Sequence, residues 1–399
     1  MIEQARRIAV IGGSRIPFCR SNTVYSSKSN MDLLSAALQG LIDRFDLHGK
    51  QFDEVIAGAV TTHSRDWNLA REALQSTTMS PLTPGITLQQ ACATSLQGAL
   101  MIGAKIATGQ IECGIAAGTD TTSDFPVVYG KKFSARVAKL GAARSFKQRM
   151  AAFKGFRPSE LKPVVPANGE PRTGLAMGQH CDRMAREWKI SREDQDKLAV
   201  DSHLNAARAY DEGFFDDIVT PWAGVSRDNN IRPDSSVEKL ATLRTVFSTG
   251  GEATMTAANS TPLTDGAAAV LLASEDWAKA NNLPIQAYIT AGRTSAVDYV
   301  NDEGLLMAPT VAVAEMLQAT GLSLQDFDFY EIHEAFAAQV LCTLAAWESE
   351  DYCKNRLGLE QTLGSIDREK MNVKGGSVAV GHPFAATGSR IIGSLGQIL

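Results

Sequence analysis

The sequence predicts an α/β fold in which a mainly parallel sheet is covered by helices on both faces. Two observations support this prediction. Short apolar runs alternate with helical patterns over the first 122 residues, and a similar succession returns from residue 285 onward. Strands that alternate with helices form parallel sheets with helices on their faces. Because the two series agree in order and type, we expect two pseudo-symmetric halves derived from one repeat.

The first half is built from strand and helix patterns in regular alternation. Strands are predicted at residues 8–11, 55–60, 113–118 and in a run that ends at 87–89, and helices at 31–44, 68–77 and 93–107. The strand at 113–118 is rich in glycine, which predicts that another part of the chain packs closely against it.

The second half repeats this order less completely. Strands are predicted at 285–291 and 327–332, a glycine-rich stretch at 375–383, and helices at 310–320, 335–347 and 386–399. The helix after residue 92 precedes the strand at 113–118, whereas the matching helix of the second half runs to Leu399. We therefore expect the natural protein to continue for roughly 20–40 residues, enough for a strand, a turn and a second strand.

A foreign insert separates the halves. We assign residues 1–122 and 252–278 to the N-terminal half, 123–251 to an inserted, mostly helical loop domain, and 279–399 to the C-terminal half. Strand patterns at 254–258 and 267–272 return the chain to the first half. Met177 lies in a helical pattern within the insert, where the spacing of its apolar residues is more typical of a core than of a cofactor site.

Part of the insert is strongly basic. Residues 125–159 contain no acidic residue, and lysines and arginines recur from Lys131 to Arg157. A charge run usually forms a solvated face. The functional alternatives are an acidic partner protein, a phosphate-bearing substrate and an anionic membrane surface, with residues 131–157 as the contact.

Composition narrows the class of protein. The net charge of −5 argues against a nucleic-acid partner. The six cysteines form no CxxC motif, which is typical of reduced thiols in a cytoplasmic protein. No apolar run is long enough to span a bilayer. The strand predicted at residue 8 leaves no room for a leader peptide.

Cys92 is the first candidate for chemistry. It lies between the end of a predicted strand and an apolar helix. Free N–H groups and the helix dipole at such a position favour a thiolate. The competing interpretation is a buried structural cysteine, which is a common use of this residue.

Two histidines lie at equivalent places in the second half. His333 follows the predicted strand at 327–332, and His382 follows the glycine-rich stretch. We place Cys92, His333 and His382 all at the carboxyl ends of strands, where side chains line the functional crevice of open α/β sheets. A thiol beside an imidazole is an activated nucleophile. The wide separation of these residues in sequence argues against a metal site.

Several motifs together resemble the thiolase family, and most closely the β-subunits of fatty-acid oxidation and trifunctional complexes. The matching stretches run almost end to end. They are Arg15-Ile16-Pro17-Phe18, Ala91-Cys92-Ala93-Thr94-Ser95, residues 228–232, residues 256–269, His333-Glu334-Ala335-Phe336 and residues 372–388. Many thiolases have asparagine where this chain has His333.

The resemblance implies a thiolase-like fold of two mixed-sheet α/β halves stacked in layers, and it implies roles for particular residues. Cys92 would carry the acyl group as a thioester, and its N–H would serve an oxyanion hole. His382 would accept the thiol proton, and His333 would position a donor in a second oxyanion hole. The remaining residues, implied to contact the acyl and pantetheine parts of the substrate, are Met177, Thr261, Phe336 and Gly376.

The same resemblance implies the reaction and the partners. A 3-ketoacyl-CoA would be cleaved by CoA to acetyl-CoA and a shortened acyl-CoA, with CoA and acyl-CoA as substrates and no cofactor. A homodimer or higher oligomer would form, in some cases with a hydratase/dehydrogenase α-subunit. Three alternatives stay open: a biosynthetic acetoacetyl-CoA-forming enzyme, a decarboxylating ketoacyl synthase of the same superfamily, and a non-catalytic acyl-CoA-binding or scaffold subunit.

The sequence departs from the family at one point. Thiolases carry a second cysteine in a Cys-x-Gly turn, which acts as acid and base at the acetyl carbon. The 399 residues contain no Cys-x-Gly. This departure agrees with the strand that the internal repeat predicts beyond Leu399.

Overall fold

A computed structural model describes residues 5–165 and 167–399. Residues 1–4, where we predicted no leader peptide, and Pro166 of the predicted insert lie outside the described residues. The strands are β1 (Ile8–Arg15), β2 (Cys19–Arg20), β3 (Glu54–Gly58), β4 (Gly85–Thr87), β5 (Cys113–Asp120), β6 (Val128–Tyr129), β7 (Pro163–Val164), β8 (Thr264–Ser274) and β9 (Ala287–Ile289). The helices are α1 (Asn30–Phe45), α2 (Leu69–Gln75), α3 (Thr94–Ala107), α4 (Lys131–Ala142), α5 (Phe146–Ala152), α6 (Met177–Glu187), α7 (Arg192–Asp211), α8 (Val237–Ala241), α9 (Glu275–Ala280), α10 (Ala308–Thr320), α11 (Ala337–Glu348), α12 (Glu350–Asn355), α13 (Ser377–Val380) and α14 (Thr387–Ile398).

One mixed sheet organises the chain. Its strand order is β4-β3-β5-β8-β1-β9, and β2 pairs with β8. The pairs β4–β3 and β3–β5 are parallel, whereas β8 is antiparallel to both β5 and β1. The prediction of a mainly parallel sheet is therefore wrong, while the mixed sheet implied by the family resemblance is present. The reason is that β8 returns from the insert and enters the centre of the sheet in the opposite direction.

Helices cover both faces of this sheet, as predicted. All eleven residues of β8 are buried, and alternate side chains point to opposite faces. Leu271 packs with α1 and α2 on one face, and Leu272 packs with α3 and α14 on the other. Because α14 comes from the end of the chain, the second half closes the core of the first.

A glycine allows the close packing that the sequence predicted along β5. A Cβ atom on Gly118 would lie 2.0 Å from the carbonyl oxygen of Ala385. Any side chain there would push the segment before α14 away from the sheet. This contact fixes the distance between the Cys92 region and the loop that carries His382.

The second half differs from its prediction. Residues 327–332 are not a strand, because only Tyr330 forms a bridge, to Met371. Residues 377–380 form the short helix α13. Strand β9 pairs antiparallel with β1, so it belongs to the sheet of the first half. Residues 254–258 are likewise not a strand, since only Thr256 is bridged. An apolar run becomes a strand only where a partner pairs along its length.

The predicted insert contains a two-stranded ribbon of β6 and β7 and five helices, α4 to α8, within its described residues. Helices α6 and α7 pack against α11 of the second half. In contrast, α4 has no buried residue. The domain boundaries remain a prediction.

A buried ion pair joins β1 to the loop between α7 and α8. The guanidinium of Arg15 donates to Oδ1 and Oδ2 of Asp228 at 2.6 and 2.7 Å, and both side chains are at most 1% exposed. Asp228 also accepts from the backbone N–H of Phe18 and the hydroxyl of Tyr210. Two of the sequence motifs, at 15–18 and 228–232, therefore meet in the core.

We expect Asp228→Asn to lower the free energy of unfolding by about 3–5 kcal/mol, because it leaves the buried charge of Arg15 uncompensated. Urea unfolding followed by circular dichroism measures the change. Lys239→Met, which removes a cation from the exposed pair with Asp234, is the matched control and should change stability far less. Equal effects of the two variants would contradict this account of the core.

Candidate active site

The turn between β4 and α3 presents Cys92. The N–H of Gln90 donates to Oγ1 of Thr94, and this hydroxyl donates to the carbonyl of Ala91, at 2.8 and 2.7 Å. Ala91 has a φ of 47°, in the left-handed region that non-glycine residues rarely adopt. This residue lies directly before Cys92, in the turn that leads from β4 to α3. The predicted position between a strand and a helix is confirmed.

His382 meets Cys92 across the core. Its Nε2 lies 3.0 Å from Sγ of Cys92, and its Nδ1 lies 2.6 Å from Oγ1 of Thr387. Its backbone N–H donates to Oγ1 of Thr264 at 2.7 Å. With the ring proton on Nδ1, Thr387 accepts it and Nε2 is free to accept the thiol proton. The prediction that His382 follows a strand is wrong, because α13 precedes it.

His333 stands beside the same pair. Its ring centroid lies 4.1 Å from that of His382, and its Nδ1 lies 2.9 Å from Oγ of Ser377. Arg390 also donates to this hydroxyl, at 3.0 Å. When the Ser377 hydroxyl donates to Nδ1, the proton of His333 is on Nε2. That nitrogen is buried and has no hydrogen-bond partner, so it is available to a ligand.

Burial favours the uncharged form of all three groups. Burial raises the pKa of Cys92 to about 12, and the nearby carboxylate of Asp120 acts in the same direction. Burial lowers the pKa of His333 to about 3, with a further contribution from Arg390. Burial, His333 and Arg390 also hold the pKa of His382 well below its usual range. Desolvation therefore acts on Cys92 in the opposite direction to the helix dipole, and the thiolate at Cys92 stays a prediction.

Glu334 holds the loop opposite Cys92. Its carboxylate accepts from the hydroxyl of Ser202 at 2.8 Å, the side chain of Asn372 at 2.6 Å and the N–H of Val378 at 3.1 Å. A Cβ atom on Gly376 would lie 2.2 Å from the carboxyl carbon of Glu334. Gly376 thus contacts Glu334 closely, which is a structural reason for glycine at this predicted substrate-binding position.

The other predicted substrate-binding residues are Met177, Phe336 and Thr261. Met177 begins α6 and packs in one apolar cluster with Phe336 and Phe247. The rings of Phe247 and Phe336 meet edge to face at 5.6 Å. Thr261 donates from Oγ1 to the carbonyl of Ser377 at 2.8 Å. Thr261 is therefore tied to the residue whose hydroxyl contacts His333.

Sequence reasoning missed the residues that orient the histidines. The hydroxyls of Thr264, Ser377 and Thr387 hold the His382 and His333 segments, and Arg390 pairs with Glu331 at 3.2 Å while it donates to Ser377. All of these except Glu331 lie in or next to the motif stretches. Among the hydroxyl residues only Thr387, five residues after His382, lies close enough in sequence to the histidine it contacts to have been found from a local pattern.

The sequence argument against metal ligands also needs correction. The fold gathers Cys92, His333 and His382 so that their ligating atoms lie within 4.8 Å of one another. Separation along the chain therefore says nothing about ligation at this site.

Among residues 5–165 and 167–399, no helix combines the length and hydropathy needed to cross a bilayer.

Comparison with known proteins places these motifs in one family. Residues 8–276 match the description "Thiolase, N-terminal domain", and residues 283–399 match "Thiolase, C-terminal domain". The chain belongs to the thiolase family. The predicted family, fold class and acyltransferase class are thereby confirmed.

Individual thiolases are similar over nearly the whole chain. A 3-ketoacyl-CoA thiolase of Shewanella loihica is 41% identical over 97% of this chain and 89% of its own length. One of Yersinia pestis is 39% identical over 98% of this chain and 90% of its own length. Among solved structures, Bacillus anthracis acetyl-CoA acetyltransferase has a TM-score of 0.81 at 26% identity, covering 99% of this chain and 93% of its own. Human mitochondrial 3-ketoacyl-CoA thiolase in complex with CoA has a TM-score of 0.78 at 27% identity, covering 99% and 91%.

Proposed function

We propose that this thiolase is a 3-ketoacyl-CoA thiolase, an acetyl-CoA C-acyltransferase of fatty-acid β-oxidation. The observation that carries the proposal is the 3.0 Å contact between Sγ of Cys92 and Nε2 of His382. It brings a nucleophile within hydrogen-bond distance of a base. The names of the Shewanella and Yersinia relatives support the substrate class.

The first acyl transfer begins at Cys92. As Sγ attacks the 3-keto carbon of the substrate, the thiol proton moves to Nε2 of His382. The keto oxygen becomes an oxyanion, and Nε2–H of His333 is placed to donate to it. Cleavage of the bond between C2 and C3 then leaves the acyl group on Cys92 as a thioester and the electron pair on C2 of acetyl-CoA.

The second acyl transfer returns the enzyme to its starting state. The thiol of CoA passes its proton to the group that protonated C2 and attacks the acyl-Cys92 thioester. The shortened acyl-CoA leaves as Cys92 regains its proton from His382. The backbone N–H of Cys92 is our proposed donor to the thioester oxygen. Met177, Phe336 and Thr261 are proposed to contact the acyl and pantetheine parts, and no cofactor is required.

Carbon–carbon cleavage differs from acyl exchange because it requires protonation of C2 of the departing acetyl-CoA. In the family this step belongs to a second cysteine, and the five other cysteines of the described residues are all buried. Acyl exchange between acyl-CoA and CoA needs only Cys92 and its histidines, whereas carbon–carbon cleavage also needs the C2 acid. The two activities can therefore be measured apart on this chain.

Comparing CoA-dependent cleavage of acetoacetyl-CoA and 3-ketohexadecanoyl-CoA tests the proposal. A degradative enzyme is expected to cleave the long substrate at least as efficiently as the short one, and to release acetyl-CoA. Preference for acetoacetyl-CoA would favour the biosynthetic alternative. If the chain exchanged acyl groups without cleaving the substrate, it would lack thiolase activity but retain the Cys92 chemistry. If it showed neither activity, a binding or scaffold subunit would be favoured.

We also propose a homodimer that forms at the β4 edge of the sheet. The indole of Trp67 is 88% exposed, and nearby Leu82 is 72% exposed. Asn68 ties Trp67 to this edge, because its amide donates to the carbonyl of Gly85 and its carbonyl accepts from the hydroxyl of Thr87. Exposed aromatic residues beside a free strand edge are typical of interfaces.

Trp67→Glu is expected to raise the dimer dissociation constant about tenfold or more, because it places a charge at the centre of the proposed contact. Sedimentation velocity over a dilution series measures the change. Leu322→Glu, at another exposed leucine, should leave the equilibrium unaltered. An unchanged dimer in Trp67→Glu would contradict this interface.

The basic part of the insert is proposed to contact an anionic membrane surface. Phe146 and Met150 are 78% and 59% exposed, next to the unburied helix α4. Lys131 and Lys132 are exposed, whereas Arg136 donates to Glu160 and to the carbonyls of Ala152, Lys154 and Gly155. Arg136 is therefore a structural residue, and only the lysines can test the surface. Binding of an α-subunit or of CoA phosphates is an alternative use of this face.

The double variant Lys131→Glu/Lys132→Glu is expected to lose most binding to vesicles that contain phosphatidylglycerol, by about 30-fold or more, since each lysine contributes about 1 kcal/mol. Cosedimentation at low salt measures it, with phosphatidylcholine vesicles as a reference. Lys354→Glu supplies the control at another exposed lysine. If vesicle binding persisted and the KM for CoA rose instead, the basic face would bind CoA phosphates. If neither quantity changed, the face would be a solvated surface without a binding role.

The location of the enzyme is proposed to be cytoplasmic. All six cysteines are free thiols, as expected in a reducing compartment. Cell fractionation followed by immunodetection tests this, with a soluble and a peripheral membrane fraction collected separately at low salt.

A further inference from the structure

Three potential metal ligands converge in the active site. Sγ of Cys92 and one nitrogen each of His333 and His382 lie within 4.8 Å of one another, and the Cys92–His382 pair is already at 3.0 Å. In a tetrahedral zinc site, metal–ligand bonds of about 2.0–2.3 Å place neighbouring ligand atoms about 3.3–3.7 Å apart. The widest spacing therefore has to close by about 1 Å to hold such an ion.

Hydrogen bonds from neighbouring hydroxyls orient both imidazoles. Nδ1 of His333 is held by Ser377 at 2.9 Å, and Nδ1 of His382 by Thr387 at 2.6 Å. Metal-ligating histidines commonly have their second nitrogen fixed in this way. Each hydroxyl can accept as well as donate, so each Nε2 can present a lone pair. Nε2 of His333 is buried without a protein partner.

We propose that Zn²⁺, or another borderline-soft divalent cation, binds to Cys92, His333 and His382 and inhibits the enzyme. On binding, the thiol of Cys92 releases its proton to solvent and a sulfur–metal bond forms, with no change in oxidation state. A water molecule fills the fourth position. The nucleophile and its base are both occupied, so acyl transfer stops.

Ligand type makes the inhibition selective. One thiolate and two imidazoles favour zinc, whereas Mg²⁺ and Ca²⁺ require oxygen ligands. The nearest buried carboxylate on the Cys92 side, Asp120, is occupied by the N–H groups of Val60, Thr61 and Ala385. Acylation of Cys92 removes the sulfur ligand, so a bound acyl group is expected to protect the enzyme from zinc.

Titration of the metal-free, full-length protein with Zn²⁺ against a chromophoric chelator tests the site. His333→Asn keeps a side chain that can bond to Ser377 but removes a ligand, and it is expected to weaken zinc binding at least tenfold. Titration with Co²⁺ should give a sulfur-to-metal charge-transfer band that Cys92→Ser abolishes. His48→Gln, a surface histidine that bonds to Thr78, is the control and should bind zinc as the unaltered protein does.

Circular dichroism shows whether each variant is folded, and these readouts do not involve turnover. A failed cleavage assay and a failed metal assay are thus distinguishable. Zinc binding that survives unchanged in both Cys92→Ser and His333→Asn would overturn the proposal, as would the absence of the thiolate band in the unaltered protein.

Discussion

Replacing Cys92 with serine is expected to lower turnover by about 10³-fold or more while leaving the fold intact. The hydroxyl fits the same space, but it is a much weaker nucleophile than the thiol and forms no thioester. Steady-state kcat for CoA-dependent cleavage, or the rate of acyl exchange between acyl-CoA and CoA, measures the loss.

Cys353→Ser is the matched control for this variant. Cys353 is buried like most cysteines of the chain, and its thiol donates to the carbonyls of Ala346 and Trp347, to which a serine hydroxyl can also donate. We expect activity close to that of the unaltered enzyme. A Cys92→Ser variant that retained a tenth of the activity or more would remove Cys92 from the mechanism.

Replacing His382 with asparagine is expected to lower kcat by about 10²–10⁴-fold, the usual contribution of a general base. The physical reason is the raised pKa of Cys92, which burial and Asp120 bring to about 12. At that pKa, roughly one thiol in 10⁴ is ionised at pH 8. Without a base at 3.0 Å from Sγ, attack depends on that small fraction.

The dependence of Cys92 alkylation on pH separates this role from a structural one. A thiol whose pKa is raised is protonated below that pKa and becomes reactive as pH rises. The rate for His382→Asn should therefore increase about tenfold per pH unit up to the pKa of Cys92. The unaltered enzyme should depend less steeply on pH, because His382 takes the proton. Parallel profiles would show that His382 does not act as the base.

Local sequence signals correctly predicted where Cys92 lies in the fold. Cys92 was identified from an extended run, a turn and an apolar helix, all within about twenty residues, and the structure has β4, a strained turn and α3 in that order. The glycine-rich approach to His382 and the close packing on Gly118 were local signals as well. Such features depend on neighbours in sequence, which is why they can be read from it.

Features that depend on distant partners were not predictable. The direction of β8 is set by pairing with β5 and β1 across the insert, and residues 327–332 fail as a strand because only Tyr330 is paired. The Arg15–Asp228 pair spans 213 residues. No local pattern around Arg15 indicates that it pairs with Asp228 or that the pair is buried.

The charge state of the site also escaped prediction for a physical reason. The helix dipole acts on Cys92 from its own segment, but desolvation comes from every element that covers it. This burial shifts the pKa of Cys92, His333 and His382 towards the neutral form of each group. The proposed mechanism accordingly has the proton move during attack rather than before it.

Peptide mass spectrometry after brief mixing with a medium-chain acyl-CoA tests the central claim most directly. We predict one acyl group per chain, bound to Cys92 and removed when free CoA is added. The adduct should be absent from Cys92→Ser and should form far more slowly in His382→Asn. An unaltered enzyme with no adduct, or with the acyl group on any other residue, would contradict the assignment of Cys92 as the nucleophile.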